Sequence, residues 1–194
     1  SWFCSEDNGF IYMNWSAVEH SQFQYYKVNF SFTNSLPSYG ASGTQSFMTD
    51  SISFSKSAAE LSGFTDGGTV YMSVTAVYSG GQTTSNVKSD IVFPAPAAPV
   101  FTSAYSSETD GKVYLEWGAV SHSQFENFNV VYQVSGGTAH TINVGSATSL
   151  AKLSSEFADI PEGVSCTFYI EAVYTSGIKK ASASKTVTLH SPPA

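Results

Sequence analysis

The chain has 194 residues, and only 12% of them are charged, about half the usual share of roughly 25%. Its formal net charge is −7, with eight lysines and no arginine, a balance that repels phosphate backbones and anionic lipid and argues against nucleic acid or membrane surfaces as partners. Hydrophobic residues at 42% and aromatics at 14% place it among globular chains, and no apolar run approaches the roughly 20 residues of a spanning helix.

Chain order begins with Ser1-Trp2-Phe3-Cys4, which has no basic flank and reads as a mature or excised segment. The stretch Ser1–Gly9 has a counterpart in Ser103–Gly111, and both end in a turn dipeptide, Asn8-Gly9 or Asp110-Gly111. The second copy has further residues ahead of this point, so the first strand of the first copy reads as starting partway through. Next come Phe10–Trp15 and Lys112–Trp117. Ile11, Met13 and Trp15 alternate with polar positions, as do Val113, Leu115 and Trp117, which is the period of a half-buried strand.

Trp15-Ser-Ala-Val-Glu-His-Ser-Gln-Phe23 then returns as Trp117-Gly-Ala-Val-Ser-His-Ser-Gln-Phe125, at an offset of 102 residues throughout. Self-similarity at a fixed offset means one structural unit present twice. A further alternating run follows in each copy. Tyr26, Val28 and Phe30, or Phe128, Val130 and Tyr132, point inward; Lys27 and Asn29, or Asn127 and Asn129, point outward. The loop Pro37–Gly43 is longer than the Gly136-Gly137 turn of the second copy. Phe54–Leu61 aligns with Leu150–Phe157, and Ser57-Ala-Ala-Glu60 fits a capping box around one helical turn. The clearest strand carries Val70, Met72, Val74, Ala76 and Tyr78 inward, matched by Cys166, Phe168, Ile170, Ala172 and Tyr174. The last strand is expected over Val87–Phe93 and Ala183–Leu189. Pro94-Ala-Pro-Ala-Ala-Pro99 reads as a short semi-rigid spacer.

Short strands at regular spacing with turn signals predict an all-β chain of two tandem seven-stranded Greek-key β-sandwiches, over 1–93 and 94–194. The residues resemble the fibronectin type III family of immunoglobulin-like folds. The resemblance rests on Trp15 and Trp117, on Tyr26-x-Val28-x-Phe30 and Phe128-x-Val130-x-Tyr132, on Ile160-Pro-Glu-Gly163, and on Ala76-Val77 and Ala172-Val173. It implies an extracellular or cell-surface repeat that acts as spacer or binding surface. One departure stands out: where the family carries the tyrosine of a tyrosine corner, this chain has Val70 and Cys166, so that loop is expected to be held in another way.

Catalytic motifs are missing from the sequence, and it reads as non-enzymatic, without cofactor or metal. There are two cysteines, one per copy and at non-equivalent positions, so they are not a shared pair; Cys166 reads as a small buried hydrophobe. His20 and His122 sit in the repeated loop, with a local hydrogen-bonding role weighed against a ligand-contacting one. Glu6, Asp7, Asn8, Glu108 and Asp110 read as solvated turn residues in preference to calcium ligands. Asn14-Trp-Ser and Asn29-Phe-Ser are glycosylation sequons, with both asparagines expected to face outward. Aromatics expected on outer faces or loops are Trp2, Tyr12, Tyr25, Tyr39, Tyr71, Tyr114 and Tyr169. Of these, Trp2, Tyr12, Tyr25, Tyr39 and Tyr114, with His20 and His122, form the candidate ligand-contacting set. The expected partners are other proteins or a cell-surface polysaccharide, met by a monomeric segment of a larger chain.

Overall fold

The computed structural model describes residues 1–33, 35–158, 160–161 and 163–191. Glu162 of the Ile160–Gly163 approach and the end of the second expected domain, 192–194, lie outside the described residues. The chain divides into two compact units, Ser1–Pro96 and Ala97–Ala194, with the division inside the proline-rich segment.

Unit one contains β1 (Trp2–Cys4), β2 (Phe10–Asn14), β3 (Phe23–Ser31), β4 (Gln45–Thr49), β5 (Ser53–Ser57), β6 (Gly68–Tyr78), β7 (Gly81–Thr84) and β8 (Lys88–Val92). Unit two repeats them as β9 (Phe101–Ser106), β10 (Lys112–Trp117), β11 (Phe125–Val134), β12 (His140–Gly145), β13 (Ser149–Leu153), β14 (Ser165–Tyr174), β15 (Lys179–Ala181) and β16 (Lys185–Thr188). One sheet of unit one runs β1-β2-β5, and the other runs β4-β3-β6 with β7 and β8 both on the far edge of β6. Unit two is ordered in the same way, as β9-β10-β13 and β12-β11-β14 with β15 and β16 beside β14. The chain crosses between sheets after β2, after β4 and after β5, which makes each unit a Greek-key sandwich of fibronectin type III-like order.

The last strand of each unit is a single stretch interrupted by a serine. Ser85 N–H donates to Val74 O, and its hydroxyl accepts from Val74 N–H at 3.0 Å. Ser182 does the same with Ile170. A hydroxyl standing in for a carbonyl lets the edge shift without leaving a buried amide unpaired.

Alternation places the core as the pattern predicts. Ile11, Met13, Val28, Phe30, Val70 and Met72 are almost fully buried in unit one, and Val113, Leu115, Val130, Phe168, Ile170 and Tyr174 in unit two. Trp117 is 3% exposed, whereas Trp15 is only half-buried. The single 3-10 turns Ala58–Glu60 and Ser154–Glu156 follow β5 and β13. Ser57 does not form the expected capping box: its side chain makes no cap bond, and Glu60 pairs with Lys56 instead. In unit two the Glu156 carboxylate accepts from Leu153 N–H at 3.1 Å.

Two different devices hold the loop that lacks a tyrosine corner. In unit one, Gln45 makes a paired contact with Ser62: its amide donates to Ser62 O at 2.7 Å and accepts from Ser62 N–H at 2.9 Å. In unit two, the Tyr132 hydroxyl accepts from Ala158 N–H at 3.1 Å. Phe30 occupies the position of Tyr132 in unit one and cannot do this. There the hydroxyl sits at Tyr26 instead, and it accepts from Val18 N–H at 2.8 Å to hold the β2–β3 loop. Tyr132→Phe should therefore cost about 1 kcal/mol, the net worth of one part-buried hydrogen bond. Faster hydrogen exchange confined to the loop around Ala158 is the expected signature; unchanged exchange there would show that packing alone holds it.

The outer face of the five-stranded sheet in unit one departs from expectation. Lys27 and Asn29 do point away from the core, but they are buried, as are Ser31, Ser73 and Thr75. The long loop after β3 folds back over them, with Pro37 O accepting from the Ser73 hydroxyl. The Tyr39 ring covers the Lys27 ammonium, 3.0 Å from the ring centroid. Asn29 donates to Ser73 Oγ at 3.1 Å and Thr75 Oγ1 at 3.0 Å, and accepts from Ser46 Oγ at 2.7 Å. The Asn29 sequon is thereby corrected: the side-chain amide is fully buried and bonded on both its ends, so the folded chain cannot present it to a glycosyltransferase. Asn14 remains exposed.

Candidate functional site

The hairpin register builds the same surface feature twice. The turn Ser5–Gly9 closes with Gly9 N–H on Ser5 O and Ser5 N–H on Phe10 O, which pairs Cys4 with Ile11 and sets Phe3 opposite Tyr12. The turn Ser107–Gly111 closes identically and sets Tyr105 opposite Tyr114. Because side chains alternate across a strand, all four rings stand on the solvent face of their three-stranded sheet.

Phe3 and Tyr12 are stacked, with centroids 5.2 Å apart and planes at 22°, and Phe10 lies 6.1 Å from Tyr12. Tyr105 and Tyr114 stack at 5.2 Å and 17°. Phe3 is 47% exposed and Tyr105 is 51% exposed, so each stack presents an open apolar edge to solvent.

Both tyrosine hydroxyls are tied to the turn. The Asn8 amide donates to the Tyr12 hydroxyl at 2.8 Å, and the Tyr114 hydroxyl donates to the Asp110 carboxylate. That bond, followed by one from Ser107, holds the Asp110 carboxyl below the usual carboxylate range, and the Asp110 bond raises the Tyr114 phenol. Asn8 and Asp110 therefore serve as struts for the rings. Among the described residues no group of three His, Cys, Asp or Glu could hold a metal ion.

The remaining candidate residues lie elsewhere. Tyr25 and Tyr39 share the Lys27 ammonium on the other sheet of unit one, at 5.6 and 3.0 Å from their centroids. His20 and His122 are turn residues: each accepts at Nδ1 from the N–H two positions on, Gln22 or Gln124, at 3.1 Å. Each imidazole also packs edge-on against a tyrosine, His20 on Tyr78 at 5.1 Å and His122 on Tyr174 at 5.0 Å. Trp2 is corrected. It pairs with Met13 on the inward face of β1, and its indole donates to Asn14 O at 3.1 Å. A one-residue shift in the pleat exchanges the faces, so Phe3, not Trp2, is the outward aromatic.

Phe3, Phe10 and Tyr105 were missed by the aromatic set above. The signal for two of them was available: a five-residue turn fixes the hairpin register, and that register places Phe3 and Tyr105 beside Tyr12 and Tyr114.

The cysteines are free. Burial, then the Asp90 carboxylate beside it, pushes the Cys4 thiol up to about 12, and burial pushes Cys166 up to about 11. Neither is a poised nucleophile.

No family model matches the chain, and no curated protein matches it. Among solved structures it is similar to the FN1–FN3 domains of chicken CNTN1, at 12% identity and a TM-score of 0.42, covering 98% of this chain and 63% of that one. It thus spans less than two thirds of that structure's length. It is also similar to a two-domain fibronectin type III segment of chicken tenascin, at 16% identity and a TM-score of 0.47, over 96% of this chain and 95% of that one. A Fn3-like protein from Clostridium thermocellum matches at 22% identity and a TM-score of 0.37, over 52% of this chain and 97% of that one. The fold assignment itself rests on the strand order: the units are tandem fibronectin type III-like sandwiches.

Proposed function

We propose that the chain is a non-enzymatic module of secreted or cell-surface proteins, a spacer that also binds another protein through the aromatic face of its three-stranded sheets. The observation that carries this is the repeated stack, Phe3–Tyr12 and Tyr105–Tyr114, exposed at equivalent positions and braced by equivalent turns. A cross-strand pair stabilises a sheet by roughly 0.2–1 kcal/mol, and that role needs neither the open edges nor the hydroxyl struts. Exposed tyrosine and phenylalanine edges are the usual anchors of protein contacts. The extracellular or cell-surface setting is carried over from the family resemblance and is a fold-level analogy.

A second reading, a carbohydrate-binding accessory module, is favoured by one feature. Tyr12 has small neighbours on β5, and with Asn14, Ser53 and Ser55 it lines a shallow groove of about 220 Å³. A sugar ring could lie against a tyrosine face flanked by hydroxyls.

One experiment separates the readings. The full chain and a Phe3→Ala/Tyr12→Ala/Tyr105→Ala/Tyr114→Ala variant, checked for intact fold by circular dichroism, are assayed against an extracellular-protein array and a polysaccharide panel. Saturable protein binding lost in the variant supports the first reading. Polysaccharide binding lost in the variant moves the assignment to the second. Protein binding that persists in the variant rules out the aromatic face as the contact.

A further inference from the structure

The two aromatic stacks share a framework but differ in charge. At the offset of 102, Asn8 and Asn14 of unit one become Asp110 and Glu116 in unit two. The hydroxyl bonds differ accordingly. Tyr12 accepts from the Asn8 amide, whereas Tyr114 donates to the Asp110 carboxylate. A phenol that donates to an anion gains electron density in its ring, and a richer ring face attracts a cation more strongly.

The neighbours of Tyr114 leave one face of its ring open. Tyr105 of β9 stacks on one side. On the other side stands Ala151 of β13, which is exposed and too short to cover a ring. Glu116 lies two residues along the same strand and so on the same face, about 7 Å away. It is exposed, stands opposite Ser149, and makes no hydrogen bond or ion pair among the described residues. Lys112 stands on the turn side of Tyr114, opposite Leu153, which directs a second cation to the Glu116 side. The chain contains no arginine, so no guanidinium of its own can fill this position.

An open tyrosine face with a free carboxylate beside it suits a planar cation. A guanidinium stacks on the ring while its N–H groups reach the carboxylate in the same plane, and it gives up its hydration more readily than an ammonium does. Unit one offers the same ring arrangement with amides in place of both carboxylates.

We propose that Tyr114 and Glu116 form a seat for an arginine side chain of a partner protein, stacked on the open face of Tyr114 and paired with the Glu116 carboxylate, and that Tyr12 with Asn14 does not. This rests on the reading of the aromatic faces as protein contacts and names the chemistry of one of them. The two stacks are thereby unequal: unit two selects a basic partner, and unit one adds neutral apolar contact.

The test titrates the full chain, at low salt to limit screening, with N-acetyl-arginine methylamide and with the equally blocked lysine and citrulline. Ring-proton NMR of Tyr114 and Tyr12 reads the result. Arginine is expected to give a saturable shift at Tyr114 and none at Tyr12. Lysine should bind about threefold more weakly or worse, and citrulline, the neutral counterpart, should give no shift. Glu116→Gln, a change at an exposed position, should weaken arginine binding by about threefold or more. Asn8→Asp/Asn14→Glu should give Tyr12 the response of Tyr114. The proposal is overturned by no saturable shift at Tyr114, by an equal response to lysine or citrulline, or by unchanged affinity in Glu116→Gln. A Tyr12 that stays silent in the double variant overturns it as well, since the exchanged carboxylates would then not carry the selectivity. None of these results touches the aromatic-face reading, which falls only when protein binding persists in the variant lacking all four rings.

Discussion

Asn29→Leu should destabilise the chain by about 2–4 kcal/mol, because it removes three hydrogen bonds from a site buried away from solvent. Leucine keeps the number and branching of the side-chain heavy atoms but is bulkier, so overpacking adds to the cost of the hydroxyls left behind. Ser46 loses the acceptor for its hydroxyl, and Ser73 and Thr75 lose donors. Ser73 keeps Pro37 O, and Thr75 keeps Thr84 Oγ1 at 2.8 Å, which limits the loss. The corresponding fall in melting temperature is roughly 10–30 °C for a domain of this size. Thermal unfolding of the full chain reads it directly. The loop after β3 should also open, since Pro37 and Tyr39 rest on the same polar floor; faster proteolysis within 35–43 would report that. A loss below about 1 kcal/mol would mean that the loop stays closed by the Tyr39–Lys27 contact and that Asn29 is not its hub.

Gly9→Ala should be comparably costly, about 2–4 kcal/mol, from two causes that add. Gly9 has φ of +69°, a conformation that a side chain disfavours. An added Cβ would also sit 2.6 Å from Ala95 N and 2.9 Å from Pro94 C, both backbone atoms that cannot swing aside. Relief would require moving either the β1–β2 turn or the exit of β8. The turn is itself fixed, since Ala58 N–H donates to Gly9 O at 2.9 Å. Gly40→Ala is the internal control. Gly40 has φ of +79° but nothing within 4 Å of an added Cβ, so it should carry the conformational cost alone, about 1–2 kcal/mol. Equal losses at the two positions would show that the contact with 94–95 yields.

Much of the architecture was legible in the residues. A constant offset from Trp15 to Trp117 and period-two alternation are local signals, and strand faces follow from them because each side chain's direction is set by its own backbone. The last strand expected over 87–93 and 183–189 is found as β8 and β16, but the short strands ahead of it, β7 and β15, carry no alternation to announce them, and the serines that follow them, Ser85 and Ser182, act through an amide of a neighbouring strand. The candidate site was legible only in part. Tyr12 and Tyr114 were found from alternation, but their stacking partners depend on hairpin register, and Trp2 was assigned to the wrong face because a three-residue strand carries too little pattern to set its phase.

The chain by itself determined the repeat, the periods of the main strands, the apolar core positions and the hairpin turns, since each is written in neighbouring residues. Only the tertiary structure decided what covers what. Lys27 and Asn29 carry the alternation of solvent-facing residues, and the loop that follows β3 folds back to bury them. Val18 and Ala158 are held by hydroxyls that lie at different positions of β3 and β11. Burial and hydrogen-bond satisfaction are properties of segments brought together from distant positions, and no local period records which segment arrives.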